Sequence, residues 1–109
     1  MLVYVNLPLF KDDSFTYTIP LEGITYRFNF YYNSREESWL FDIRYSNGEA
    51  VVLGEALVAQ YPMLLDYNLE GLSGFLWMEP IGENQNQTVI NPFEIHQYYT
   101  LRYYYDRIE

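Results

Sequence analysis

Residues 39–53, WLFDIRYSNGEAVVL, carry the clearest indication of the fold in this sequence. Apolar and aromatic side chains occupy every second position from Trp39 to Tyr45, which is the period of a half-buried β-strand. Asn47 and Gly48 follow, and a second apolar run comes directly after them. Asn-Gly between two such runs is the strongest short signal for a β-hairpin, because a type I′ turn needs positive φ twice. We therefore predict a hairpin with a type I′ turn, in which Asn47 and Gly48 are structural turn residues.

The same alternation continues upstream of this hairpin. Apolar residues take the odd positions of residues 15–21 and the even positions of residues 24–32, with mostly polar residues between them. Glu22 and Gly23 separate the two runs, which predicts a second hairpin with one buried face. Pro20 has no N–H to donate, so we expect its end of the strand at a sheet edge or a bulge.

Downstream of residue 54 the pattern is more mixed. Residues 55–65 favour a short helical turn, which Pro62 prevents from growing into a long helix. Residues 75–80 predict a strand, and so do residues 97–105, which carry Tyr on both faces and are expected to be covered on both sides. We predict that residues 1–109 form a single all-β domain, a mostly antiparallel β-barrel or sandwich of about six to eight strands.

Composition and charge exclude several classes of partner. The 109-residue chain has 15 acidic and 6 basic residues, a formal charge of −9, and no cysteine. Nucleic-acid binding needs clustered Lys and Arg, and an anionic membrane surface needs the same. The six basic residues are scattered along the chain, so we expect no nucleic-acid partner. No apolar run approaches the length of a bilayer span either, so we expect no membrane partner.

The sequence offers weak candidates for catalysis. His96 is the single histidine, and no serine lies in a nucleophile-elbow context that would complete a triad with it. Asp42 and Glu79 are the one plausible pair of glycosidase carboxylates, although Asp42 is better placed on the polar face of its strand beside Arg44 or Arg27. We expect no enzyme activity and no catalytic residue.

Two acidic pairs are the candidates for a cation site, Asp12-Asp13 and Glu36-Glu37. Neighbouring residues in a strand point to opposite faces, and the spacing of an EF-hand loop is absent. Solvated loop charge is the better interpretation, so we expect no metal and no cofactor.

Tyrosine is unusually abundant, with 13 copies. Tyr and Trp are favoured in protein interfaces, and a domain of this size cannot bury all of these rings. We therefore predict a protein-binding surface, for which the candidate residues are Tyr31, Tyr32, Tyr61, Tyr67, Trp77, Tyr98 and Tyr104. Sugars stacked on the same rings are the alternative use of such a surface.

Nearly the whole chain, and most strongly residues 15–65, also resembles the cyanophage baseplate plug protein family of tailed phages. That family typically shows an "IPL" strand, a Gly–Tyr–Trp-Asn–Arg–Trp–Asp–Tyr–Gly core, a Gly–Leu–Leu-Leu segment and a final tyrosine-rich strand. The corresponding residues here are Ile19, Pro20, Leu21, Gly23, Tyr26, Asn33, Arg35, Trp39, Asp42, Tyr45, Gly48, Gly54, Leu57, Leu64 and Leu65, with Tyr32 in place of the usual Trp. Beside this resemblance, Asn33, Arg35 and Trp39 are interpreted as turn braces between two strands.

The resemblance implies a virion structural protein, located in the tail baseplate or hub and, during assembly, in the host cytoplasm. It would act as a plug or adaptor, with other tail proteins (hub, tube or spike) as partners and an oligomeric state set by the tail. A carbohydrate- or receptor-binding β-module of the tail tip is the second hypothesis. A small tail-tip hydrolase is the third.

Overall fold

The structure is a computed structural model that describes residues 1–67, 69, 71–81 and 95–106. Seven strands account for most of these residues. Their bounds are β1 Leu2–Leu7, β2 Ser14–Leu21, β3 Ile24–Asn33, β4 Ser38–Tyr45, β5 Ala50–Ala56, β6 Phe75–Pro80 and β7 Tyr99–Asp106, with a 3-10 turn at Leu65–Tyr67 and a one-turn helix, α1, at Ile95–Tyr98. None of the described helices is long and apolar enough to cross a membrane.

The strands form two antiparallel sheets, ordered β1-β7-β6 and β2-β3-β4-β5. Buried side chains from both sheets make one continuous hydrophobic cluster, so the sheets pack face to face. The predicted all-β class is confirmed, and the described strands form a sandwich of two sheets without closing into a barrel. The largest fully buried side chains are Trp39, Tyr26, Tyr103, Phe28, Phe30 and Phe41.

The predicted hairpins of the larger sheet are confirmed. Tyr26, Phe28 and Phe30 are fully buried on the inner face of β3, while the side chains between them point outward. Pro20 lies in β2, which is an edge strand, as its missing N–H requires. The predicted β-strand at residues 75–80 is confirmed as β6.

The turn types differ from expectation. At the β4–β5 turn only Gly48 has positive φ, at 96°, and its N–H donates to the carbonyl of Tyr45. The predicted type I′ turn is therefore wrong: this is a type I turn followed by a left-handed glycine. Asn47 stays out of the left-handed region while its Oδ1 accepts the N–H of Glu49 at 2.9 Å.

The β2–β3 turn is a two-residue turn in which both residues have positive φ. Glu22 has φ 53° and Gly23 has φ 85°, and they connect the paired residues Leu21 and Ile24. These are the signs of a type I′ turn. Glu22 thus adopts a backbone conformation that few residues other than glycine favour.

The smaller sheet contains a strand that the sequence did not predict. This strand, β1, pairs with the last strand, β7. Because β7 also pairs with β6, it lies in the centre of the sheet. β7 begins at Tyr99 because the preceding four residues form α1. Its inner face is buried, but the alternate residues Thr100, Arg102 and Tyr104 are only half-buried, so the expected coverage on both sides is wrong for the described residues.

A crossing segment joins the two sheets after β5. The N–H of Leu57 still bonds to the carbonyl of Trp39 in the larger sheet, at 2.9 Å. Met63 then pairs with Leu76 on the outer edge of β6, through two bonds of 2.9 Å. The helical turn expected near residues 55–65 is the 3-10 turn at Leu65–Tyr67, at the end of this segment. The segment occupies the β6 edge of the smaller sheet.

Candidate protein interface

Aromatic side chains gather on the outer face of the β1-β7-β6 sheet. The strand register places Tyr4 opposite Tyr104, and Tyr104 opposite Phe75. Residues directly opposite on one face of a sheet are in side-chain contact, so the three rings make a row across all three strands. The ring centroids are 5.5 Å apart for Tyr4 and Tyr104 and 5.6 Å apart for Tyr104 and Phe75.

Trp77 extends this row along β6. It lies two residues after Phe75, and therefore on the same face, with its ring edge-on to Phe75 at 6.4 Å. Tyr4 is 51% exposed and the other three rings are half-buried, although no described element packs over them. We call Tyr4, Phe75, Trp77 and Tyr104 the aromatic face.

Arg102 lies within the aromatic face. Its guanidinium carbon is 4.6 Å from the centroid of the Tyr4 ring, which is cation–π distance. Nη1 donates to the hydroxyl of Tyr104 and Nε donates to Oδ1 of Asn6, both at 3.3 Å. The hydrogen bond to Tyr104 raises the pKa of Arg102. The cation is held in place by rings and an amide, and its other guanidinium N–H groups bond to no side chain that the structure describes.

A shallow depression adjoins the aromatic face. It has a volume of about 180 Å³ and is lined by Trp77, Glu79, Pro80, Ile81, Thr100 and Arg102. Ligand pockets for small molecules usually measure several hundred Å³ and enclose most of the ligand. The geometry therefore suits contact with a broad surface better than enclosure of a small molecule.

Two of the predicted interface residues, Trp77 and Tyr104, meet on this face. Two others lie on the larger sheet instead. The hydroxyl of Tyr31 donates to Asp42 Oδ1 at 3.1 Å, and the pKa of Tyr31 is raised by partial burial and by this bond. Tyr32 is half-buried, with its ring edge-on to Trp39 at 5.8 Å.

The remaining predicted interface residues are separated from both groups. Tyr61 is 53% exposed on the crossing segment. Tyr67 is in the 3-10 turn and donates its hydroxyl to Glu55 Oε2 at 2.5 Å. Tyr98 ends α1 half-buried, with its carbonyl bonded to the N–H of Ile81. The predicted set therefore does not form one continuous surface.

Of the three residues predicted as turn braces between two strands, Asn33 ends β3 and Arg35 lies in the β3–β4 loop, whereas Trp39 lies in β4. Oδ1 of Asn33 accepts the N–H of Arg35 at 3.0 Å and that of Glu36 at 3.4 Å, which caps the loop. Trp39 is 1% exposed and belongs to the core. The positive φ of this loop falls on Glu37, at 50°.

The candidate catalytic residues do not converge. Asp42 lies on the outer face of the larger sheet and Glu79 on the outer face of the smaller one, so the sandwich separates them. A depression of about 200 Å³ beside His96 has no serine or carboxylate among its described lining residues. In the part of the chain that the structure describes, no group of three or more His, Asp or Glu could hold a metal ion, and Asp12-Asp13 and Glu36-Glu37 are exposed.

Sequence reasoning missed Tyr4, Phe75 and Arg102. Tyr4 is in the strand that the alternation did not reveal, since apolar residues occupy consecutive positions there. Phe75 and Arg102 became candidates only when the register of β7 with both neighbours was known. One signal was present: Arg, with Tyr and Trp, is enriched in interface hot spots.

Comparison with known proteins gives one family. The family described as cyanophage baseplate Pam3 plug gp18 matches residues 4–107. No curated protein matches the chain. The match begins within β1 at Tyr4 and includes all four residues of the aromatic face. The chain belongs to the cyanophage baseplate plug family, and is a structural protein of a phage tail baseplate.

Proposed function

We propose that this protein works as a plug or adaptor whose aromatic face is buried against a hub, tube or spike subunit of the baseplate. The observation that carries the proposal is the row of Tyr4, Tyr104 and Phe75 across a complete sheet, with Arg102 among the rings. Tyr, Trp and Arg are the residues that most often dominate binding energy in protein interfaces.

The packing of the rings favours binding at low entropic cost. Tyr104 contacts rings on both sides, at 5.5 and 5.6 Å, and its hydroxyl is held by Arg102. Side chains that are already ordered lose little rotamer freedom when a partner covers them. The surface is thus suited to one fixed docking geometry, with the oligomeric state set by the symmetry of the tail.

The protein would occupy two locations in turn. The protein would be made in the host cytoplasm and then enter the virion with the baseplate. A net charge of −9 favours solubility of the free chain before its aromatic face is covered.

The test is incorporation of a double variant, Tyr4→Ala with Tyr104→Ala, into tails. Leu53→Ala is the control, since Leu53 is 52% exposed on β5, in the other sheet. We expect the double variant to fold but to lose about tenfold or more in incorporation, as removal of two hot-spot rings predicts, while Leu53→Ala assembles normally. Normal incorporation of the double variant would overturn the proposal.

A carbohydrate- or receptor-binding module is the second candidate, because Trp77 borders the depression with Glu79 and Arg102. A glycan array with the purified chain separates the two. The plug proposal predicts no saturable binding, whereas binding lost on Trp77→Ala would favour the module.

A further inference from the structure

A second surface lies on the opposite side of the sandwich, on the outer face of β2, β3 and β4. The register places Arg27 of β3 directly opposite Arg44 of β4. Thr16, Asn29 and Asp42 occupy the neighbouring positions, and the five side chains line a depression of about 260 Å³. Two of the chain's 6 basic residues therefore share one site.

No acidic residue in the described part of the chain neutralises the two positive charges. Like charges directly opposite on a sheet are destabilising. The chain has 15 acidic residues, yet within the described ranges none forms an ion pair with Arg27 or Arg44. The Arg44 guanidinium donates from Nη1 to the carbonyl oxygen of Gly48 at 3.1 Å, and the Arg27 guanidinium makes no hydrogen bond to any described residue. An arrangement that costs stability in the free chain is explained if an external anion completes it.

The carboxylate that lines the same depression, that of Asp42, accepts its hydrogen bonds from other residues through one oxygen. Oδ1 of Asp42 accepts the hydroxyl of Tyr31 at 3.1 Å and the N–H of Gly54 at 2.7 Å. These bonds hold Asp42 toward β3 and β5 and leave it outside ion-pair distance of both guanidinium groups.

The other polar side chains are oriented to help an anion bind. The Thr16 hydroxyl donates to Oδ1 of Asn29 at 2.9 Å. This bond assigns the Asn29 oxygen to Thr16, so that the amide nitrogen is the part of Asn29 with hydrogens to donate. Two guanidinium groups and one amide then supply donors around one depression.

We propose that Arg27 and Arg44 bind a carboxylate of a neighbouring protein in the baseplate. A guanidinium matches a carboxylate with two parallel N–H···O bonds, and such charge-assisted pairs are stronger than neutral ones. A single carboxylate feels these two cations at short range, whereas a long polyanion such as DNA also meets the repulsion of a chain with charge −9. With the aromatic face on the other side of the sandwich, the protein would contact two neighbours of different chemistry.

The first test uses the free chain and does not depend on assembly. Sodium acetate is added at constant ionic strength, with sodium chloride as reference, and the Arg Nε–H signals are followed by NMR. We expect saturable shifts for Arg27 and Arg44 and none for Arg35, which lies in the exposed β3–β4 loop. Shifts equal to those in chloride would overturn the proposal. Tight binding of a short DNA duplex at physiological salt would also overturn it, because the ligand of the two arginines would then be phosphate and not a protein carboxylate.

The second test uses assembled tails. The double variant Arg27→Gln with Arg44→Gln is compared with Lys11→Gln with Arg35→Gln, which removes the same charge from exposed positions. We expect at least about a tenfold loss of incorporation for the first variant alone, and only partial rescue by Lys at both positions, since Lys cannot pair bidentately. Equal incorporation of the two Gln variants would contradict the site even where the aromatic-face variants behave as proposed.

Phenylglyoxal labelling of arginines covers the case in which the Gln variant folds poorly. In intact tails we expect Arg27 and Arg44 to be protected about tenfold or more relative to the free chain, as burial under a partner requires. Labelling in tails at the rate of the free chain would overturn the proposal.

Discussion

The hydroxyl of Tyr103 donates a 2.6 Å hydrogen bond to Oε2 of Glu22, a residue 81 positions away in the other sheet. The same carboxylate accepts the hydroxyl of Ser73 at 2.6 Å and its N–H at 2.9 Å. The Tyr103 oxygen in turn accepts the N–H of Gly74 at 2.8 Å. One turn residue thus joins the β2–β3 hairpin, the loop before β6 and the central strand of the smaller sheet.

Removing the charge at this junction should destabilise the fold. Glu22→Gln keeps the side-chain shape but leaves one acceptor oxygen for three donors, and Tyr103 is fully buried. We expect the free energy of unfolding in urea to fall by about 1–3 kcal/mol, the usual loss for hydrogen bonds to a charged group. Glu49→Gln, at an exposed turn, is the matched control and should be neutral; equal losses would argue against the junction.

The junction also predicts a pH dependence. Partial burial alone would raise the pKa of Glu22, but hydrogen bonds from Ser73 and Tyr103 outweigh it, and the pKa lies below the ordinary 4.5. The carboxylate therefore contributes stability that is complete above the unfolded-state pKa and is lost as pH falls through the folded-state value. The difference in unfolding free energy between wild type and Glu22→Gln should shrink below about pH 4.5. If this difference in unfolding free energy stayed constant down to pH 2, the Glu22 carboxylate would not be the source of the stability.

Gly74 should be far less tolerant of a methyl group than Gly48. A Cβ at Gly74 would lie 1.8 Å from the carbonyl oxygen of Tyr104, whereas nothing is within 4 Å of a Cβ at Gly48. Gly74→Ala should cost about 3 kcal/mol or more, or prevent folding. Gly48→Ala should cost about 1–2 kcal/mol, because only its φ of 96° is strained. Thermal melts of both variants check the order, and similar melting temperatures would contradict the close packing at Gly74.

Asp42 should anchor β5 to the larger sheet. Asp42→Ala removes the acceptor of the Gly54 N–H and the Tyr31 hydroxyl, and Asp42→Asn retains one oxygen as the matched control. We expect amide hydrogen exchange around Gly54 to be at least about tenfold faster in the Ala variant, the effect of losing about 1.4 kcal/mol of local stability. Unchanged exchange at Gly54 would mean that pairing with β4 alone holds this strand.

Local alternation was enough to predict the larger sheet. Within each of β2, β3 and β4 the inward-facing side chains, which are buried or half-buried, fall on every second residue. Consecutive strands pair through short connections, so period and turn residues determine the topology. Turn type was less predictable from the residues. Asn47 adopts a type I turn in which its side chain accepts the N–H of Glu49, whereas Glu22, beside Gly23, adopts positive φ.

The smaller sheet depends on contacts between distant parts of the chain. Val3 in β1 pairs with Tyr105 in β7, and consecutive apolar residues in β1 give no period-2 signal. Tyr103 and Tyr104 are both tyrosines, so the sequence does not say which of them is buried. The pairing of β7 with both neighbouring strands determines that Tyr103 is buried and that Tyr104 faces outward. The aromatic face could therefore not be assembled from the sequence, although Trp77 and Tyr104 were predicted.

The most direct measurement is a cryo-EM reconstruction of the assembled baseplate that resolves side chains. We expect Tyr4, Phe75, Trp77 and Tyr104 to be covered by one neighbouring subunit, with Arg102 hydrogen-bonded across the contact. A baseplate in which this protein is ordered while those four rings face solvent would contradict that expectation.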